Sequence, residues 1–402
     1  MKKVPLGVTI GLMALAAAAA VSLTYHVAIG QINAKIQNIN ERQAMFSQLG
    51  EIDALARSNH YDTLDENVLA RALAEGYVEG LQDENARFFD AAECKAYADA
   101  NGDSGTGAGL EVVRDSDGTL RVVQVHQDSP AEAAGVLPGD VIVTMDGDAV
   151  VALDAVQAEN RLYGEEGTAL ELEILRRGED LSTDAQTHTL HITFARFTSR
   201  TVEVSVLESG VGYIRICRMR PGTSAEFTEA LNSLQGQNVT GLVLDLRDCG
   251  GTAVTAAAEI ADQLLGIADT VRCLDAQGYM TVEYTSGAGS AELDVCALVN
   301  SQTQGAAEVL VAALQDAGCP VVGETTCGHA DKTQLYQLSD GSALLLTAGR
   351  YARANASAIT GAGVVPTQVA ELTAEQVLAH RQRRLSPDAD AQVQAAVGQI
   401  SA

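Results

Sequence analysis

Between Val295 and Gln334 the chain alternates a short apolar run, a polar loop, a run of helical period, a second short apolar run and a second loop. Few folds accept that order. Val295 to Val299 suits a buried strand, and Ala306 to Ala317 carries Val309, Leu310, Ala313 and Leu314 at helical spacing before Gly318 stops it. A turn from strand into helix turns backbone N–H groups toward one point, where they can meet a developing oxyanion.

The same alternation begins at Thr198, which predicts parallel βαβ units. VGYIRI at 211–216 reads as a strand, and Thr223 with Glu226 caps a helix bearing Phe227, Leu231 and Leu234. GLVLDLR at 241–247 reads as a buried strand, followed by Asp248, Cys249, Gly250 and Gly251 and a helix containing AAEIADQLL. Ahead of this part a Gly-rich joint, 101–109, leads into the alternating runs LEVV, LRVVQV and DVIVTMDG. Earlier still, Thr63 and Glu66 form a capping-box pattern before a helix with Val68, Leu69, Ala72, Leu73 and Tyr77 on one face. The chain closes on a helical tail whose basic cluster, His380 to Arg384, reads as a solvated face.

Lys2 and Lys3 precede a stretch, Val4 to Ala34, without a formally charged side chain, apolar from Leu6 to Leu23 and long enough to span a bilayer. The basic residues predict an N-in, single-pass protein of the cell membrane with everything after the span extracytoplasmic. A cleaved signal peptide is the competing reading. Ile32, Ile36, Ile39 and Phe46 continue at helical spacing as a juxtamembrane helix. A formal charge of −27 speaks against nucleic acid or an anionic membrane surface as partner. The seven cysteines lack Cys-x-x-Cys pairs, and His188 and His191 fall on opposite faces of a strand-like run, so no metal or other cofactor is expected. Oligomeric state is not legible in the sequence.

The Val295 to Gln334 segment resembles the C-terminal processing peptidases, or tail-specific serine proteases. Their pattern is Asn-x-x-Ser-Ala-Ser-Ala-Ser-Glu followed by Gly-Glu-x-Thr-Phe-Gly-Lys-Gly, and Asn300, Glu308, Gly323, Glu324, Thr326 and Gly328 match it. The resemblance implies a nucleophilic serine three residues before the glutamate and a lysine base after Phe-Gly. Here those positions hold Gly305 and His329. Asp245, Leu246 and Arg247 match the family's second signature, whose glycine loop helps line the oxyanion hole; Gly250, Gly251 and Ala306 are the corresponding residues. SPAEAAGVLPGDVI at 129–142 is similar to the helix, turn and strand of a bacterial protease PDZ domain. Gly107, Ala108, Gly109 and Leu110 then fall where such domains bind a peptide C-terminal carboxylate, a reading the context favours over the plain turn that glycines also make.

The resemblance implies an α/β protein with a ClpP/crotonase-like peptidase core, an inserted PDZ domain and an N-terminal helical segment behind a single membrane span. The corresponding divisions are 1–34 anchor or signal, 35–100 helical segment, 101–180 PDZ domain, 181–372 protease core and 373–402 helical tail. With both members of the dyad substituted, the expected role is an inactive binder of protein C-termini that presents, shields or competes for substrates of an active protease. The alternative is an endopeptidase with a displaced catalytic set. Thr303 is the displaced hydroxyl, Lys332 the displaced base if the loop before Gln334 carries an insertion, and Cys249 with His329 a substitute thiol pair.

Overall fold

The computed structural model describes residues 39–287 and 293–400. The expected span, 1–34, and the start of the juxtamembrane helix lie outside the described residues, among which no helix is long and apolar enough to cross a membrane. The chain divides into two compact units, Met1–Leu73 and Ala74–Ala402.

In the first unit a helix covers residues 39–59, with Ile39, Phe46, Ile52 and Leu55 exposed along it. Arg57 reaches Asp53 at 2.8 Å and Glu66 at 2.5 Å. The helix Glu66–Glu79 starts later than the capping pattern predicts, because Asp65, not Thr63, accepts the N–H groups of Asn67 and Val68. Its predicted inward face is largely exposed, and Val78 is the residue it buries.

The second unit is built on a six-stranded sheet. Val202–Val206 runs antiparallel to Gly212–Ile216, and Leu242–Asp245, Val295–Val299, Val321–Gly323 and Gln368–Val369 follow in parallel. Parallel strands need crossovers, and their helices cover the sheet, which is why these strands read as continuous apolar runs. Ile214, Leu242, Leu244, Val295, Ala297 and Val299 face the helices Thr223–Gln235, Val254–Leu264 and Ala306–Asp316. Tyr213, Val243, Cys296 and Leu298 point the opposite way, onto Val393 and Ala396 of the C-terminal helix Ala391–Ile400. A second sheet joins Arg87–Phe89, Ala343–Ala352, Asp269–Leu274 and Met280–Thr285, with Asp331–Gln337 also paired to Ala343–Ala352.

An antiparallel sheet of Leu110–Arg114, Leu120–Val125, Val141–Met145, Ala169–Arg176 and Gln186–Thr193 forms a separate core with the helices Pro130–Ala133 and Ala155–Asn160 beside it. This sheet runs past the expected close at residue 180. Ala169–Arg176 pairs over its whole length with Gln186–Thr193, which buries Ile192, and the polar loop between them is a hairpin rather than a border.

Candidate functional site

Three loops meet at the N-terminal end of the helix Ala306–Asp316, each leaving the end of a strand of the six-stranded sheet. They are laced backbone to backbone: Gln304 N–H donates to Cys249 O at 2.9 Å, Gly305 N–H to His329 O at 3.0 Å, and Cys327 N–H to Thr303 O at 2.9 Å. Asn300 braces the same place, its side-chain oxygen accepting the Asp248 N–H at 3.0 Å.

Gly305 stands at the start of the helix with φ +64° and ψ −128°, a left-handed conformation that side-chain-bearing residues rarely hold. A Cβ built there would lie 2.5 Å from Gly251 O. A second contact meets the same atom: Ala306 N–H, one of the donors expected to line an oxyanion loop, is bonded to that Gly251 carbonyl at 3.0 Å. That donor is therefore engaged within the chain by the glycine loop.

Glu308, one turn along the helix, is fully buried and receives Thr326 Oγ1–H, Gly328 N–H at 2.7 Å and His329 N–H at 2.8 Å. Burial pushes its carboxyl above the ordinary range, against the opposing pull of these donors. Its role is to tie the loop carrying His329 to the helix carrying Gly305.

The displaced candidates have other occupations. Thr303 is wholly buried and donates to Leu246 O at 2.8 Å, which makes it a loop brace. Cys249 lies in the hydrophobic core under the sheet, where burial holds its thiol well above the usual value, so it does not pair with His329. Lys332 sits on the strand Asp331–Gln337 in an ion pair with Glu283, which raises its pKa and keeps it charged, the wrong form for a base. Gln334, two residues on, is exposed and accepts from Tyr336 Oη–H at 3.1 Å.

Cys327, which no motif marks in the sequence, stands beside His329. Its Sγ is 3.2 Å from His329 Nδ1, with the thiol half-buried and the imidazole exposed. The signal was the spacing of two, which lets a turn bring both side chains to one side. Burial first, and the Glu308 charge second, raise the Cys327 thiol pKa.

In the antiparallel domain the glycines of the loop are explained by close packing. Gly107 lies against the Leu162 carbonyl, and Gly109, at φ +79°, against Ser129. Ala108 N–H donates to Leu162 O at 2.7 Å, so this member of the expected carboxylate-binding set is engaged. Leu110 begins a strand at the end of the sheet order, paired with Leu120–Val125 alone.

Residues 210–370 match the model described as peptidase family S41, and residues 107–187 match a PDZ domain. The chain is 31% identical over 294 residues to the carboxyl-terminal-processing protease of Synechocystis, covering 73% of this chain and 67% of that protein. It is 28% identical to the carboxy-terminal processing protease CtpA of Bacillus subtilis over 81% of this chain and 69% of that one. Among solved structures, a photosystem II D1 C-terminal processing protease superposes with a TM-score of 0.61 at 28% identity, covering 85% of this chain and 92% of the other. The matches span 61 to 70% of the lengths of the first curated relatives.

Proposed function

We propose, from the premise that this chain belongs to the C-terminal processing proteases of peptidase family S41 and carries a PDZ domain, that it is a proteolytically inactive member that binds protein C-termini. One observation carries the reading: the nucleophile position has no side chain, and Ala306 N–H beside it is already bonded to Gly251 O. A serine peptidase needs a hydroxyl, a base and an oxyanion donor within reach of one carbonyl. Losing such a unit typically costs several orders of magnitude in rate.

The ligand on this reading is the C-terminal segment of a protein. It adds as a strand beside Leu110–Arg114, with its carboxylate at the loop carrying Gly109 and Leu110. The protein sits in the cell membrane through Leu6 to Leu23, with the rest outside the cytoplasm, where it presents or withholds substrates from an active protease. We read the core as of the ClpP/crotonase type, which the parallel sheet and the helix-borne site support.

The test incubates the purified 402-residue chain with an unfolded protein ending in an apolar tail. The expected result is no cleavage, with saturable binding of the tail peptide that disappears when its terminal carboxylate is amidated. Cleavage sinks the inactive reading, and binding that survives amidation sinks the carboxylate.

A second reading rests on the 3.2 Å contact of Cys327 with His329, the geometry of a thiol nucleophile and its base. The raised thiol pKa and the occupied Ala306 N–H weigh against it. Cleavage that is present in the unaltered chain and lost in Cys327→Ala would establish it.

A further inference from the structure

Carboxylates outnumber lysine and arginine two to one in this chain, 53 against 26, yet one cavity gathers cations. It has a volume of about 410 Å³ and lies between the strands Val202–Val206 and Gly212–Ile216 and the segment that follows the helix Ala374–Arg381. Arg247, His380, Arg383 and Arg384 line it, against two carboxylates, Glu203 and Asp390. Arg247 is committed to Asp245 and Asp390 at 2.6 and 2.8 Å, one guanidinium between two carboxylates, so the cations left for a ligand are those of the other arginines. Arg384 points Nη2 at the Glu179 carbonyl and Nε at Gln382 Oε1, both neutral acceptors, and its nearest carboxylate contact is 3.9 Å.

Behind this wall stands Arg215, directly across the sheet from Glu203. Its side chain is 1% exposed, and its Nε and Nη1 have no hydrogen-bond partner among the described residues. The nearest carboxylate oxygen to Nη1 is Glu203 Oε2 at 3.9 Å, too long for a hydrogen bond, and Arg383 also pairs with that oxygen. A buried guanidinium with idle donors is costly, and buried polar groups are usually satisfied. Arg383 adds a second oddity. It has φ +57° just past the end of the helix, a place where glycine is the usual residue, yet here a long cation is kept.

We propose that this cavity is a binding site for a small organic phosphate. Several guanidinium groups arriving from different sides suit an anion with several acceptor oxygens better than a planar carboxylate, and arginine forks match phosphate geometry. The volume exceeds what a bare phosphate fills and falls in the range of small-molecule pockets. Val204, Leu385 and Pro387 supply an apolar wall for the organic body. The site adjoins the peptidase loops through one connection: Arg247 precedes Asp248 in the glycine loop, and His380 Nε2 is 3.2 Å from Asp248 Oδ2.

The experiment titrates the 402-residue chain with phenyl phosphate, inorganic phosphate and benzoate at constant ionic strength, read by calorimetry. Phenyl phosphate should bind saturably, more tightly than inorganic phosphate and far more tightly than benzoate. Binding should weaken about tenfold or more in Arg383→Gln/Arg384→Gln, since charge-assisted bonds to phosphate are the strong ones. In the unaltered chain, phenyl phosphate should protect Arg383 and Arg384 from phenylglyoxal, mapped by mass spectrometry. That reading does not depend on whether a variant folds. No saturable binding, equal binding of benzoate, tighter binding of inorganic than phenyl phosphate, or modification of Arg383 and Arg384 that phenyl phosphate leaves unchanged would each overturn the proposal.

Discussion

At Gly305 a single missing side chain has a consequence that replacing it does not undo. The position keeps φ +64° and its Cβ direction points at the Gly251 carbonyl, so a serine there must push the glycine loop aside. Gly305→Ser should lower stability by about 1–3 kcal/mol through backbone strain, measured by urea unfolding. Gly305→Ser/His329→Lys should still give no cleavage of an unfolded substrate, because the serine and the Gly251 carbonyl compete for the space beside Ala306 N–H unless the glycine loop opens. Hydrolysis by that double variant would mean that substrate opens the loop. The glycine at the position counted back from Glu308 was legible in the sequence. The engagement of Ala306 N–H was not, because a carbonyl direction depends on φ and ψ of Gly251, φ +110°, and no residue type encodes it.

The helix Ala306–Asp316 and the loop Thr326–His329 act as one element because Glu308 joins them. Its carboxylate lies in the first turn, where the helix dipole favours negative charge, and it takes two backbone N–H groups and one hydroxyl from the loop. Glu308→Ala would leave those donors unpaired in a dry site, with an expected loss of about 3 kcal/mol in urea unfolding. A loss under about 1 kcal/mol would mean that the loop finds other partners. The family pattern marked Glu308, while its spacing left open whether the following loop held His329 or Lys332 at the base position. The strand Asp331–Gln337 decides that for Lys332, since it begins one residue before and carries the ammonium to Glu283.

Across the second unit lie buried ion pairs, two of which join elements far apart in sequence. Glu111 meets Arg220 at 2.6 Å, Asp248 meets Arg121 at 3.1 Å, and Asp245 meets Arg247 at 2.6 Å. Despite the cost of burial, the arginines hold all three carboxyls below their ordinary range. A carboxylate whose folded pKa lies below its unfolded value adds stability above the unfolded value and loses it as pH falls toward the folded one. Stability measured by urea unfolding should therefore drop below about pH 4, with a slope of up to about 1.4 kcal/mol per pH unit for each group. Glu308 works in the opposite sense, since its raised pKa favours the folded state at lower pH, but it is one group against three. A stability that stays level from pH 5 down to about pH 3 would show that these pairs do not survive in solution.

By itself the sequence determined the alternation of strand and helix, the PDZ and peptidase segments in their order, and the glycine at the position counted back from Glu308. These are properties of period and of residue identity at counted positions, which local chain geometry fixes. Only the tertiary structure decided that Cys249 is core, that Cys327 meets His329, that Thr303 braces a loop, and that Ala306 N–H is taken. It also brought Arg247 to one cavity with Arg383 and Arg384, more than a hundred residues further along the chain. Contacts of that kind depend on how packed layers orient side chains and carbonyls in three dimensions, and sequence spacing carries no record of it.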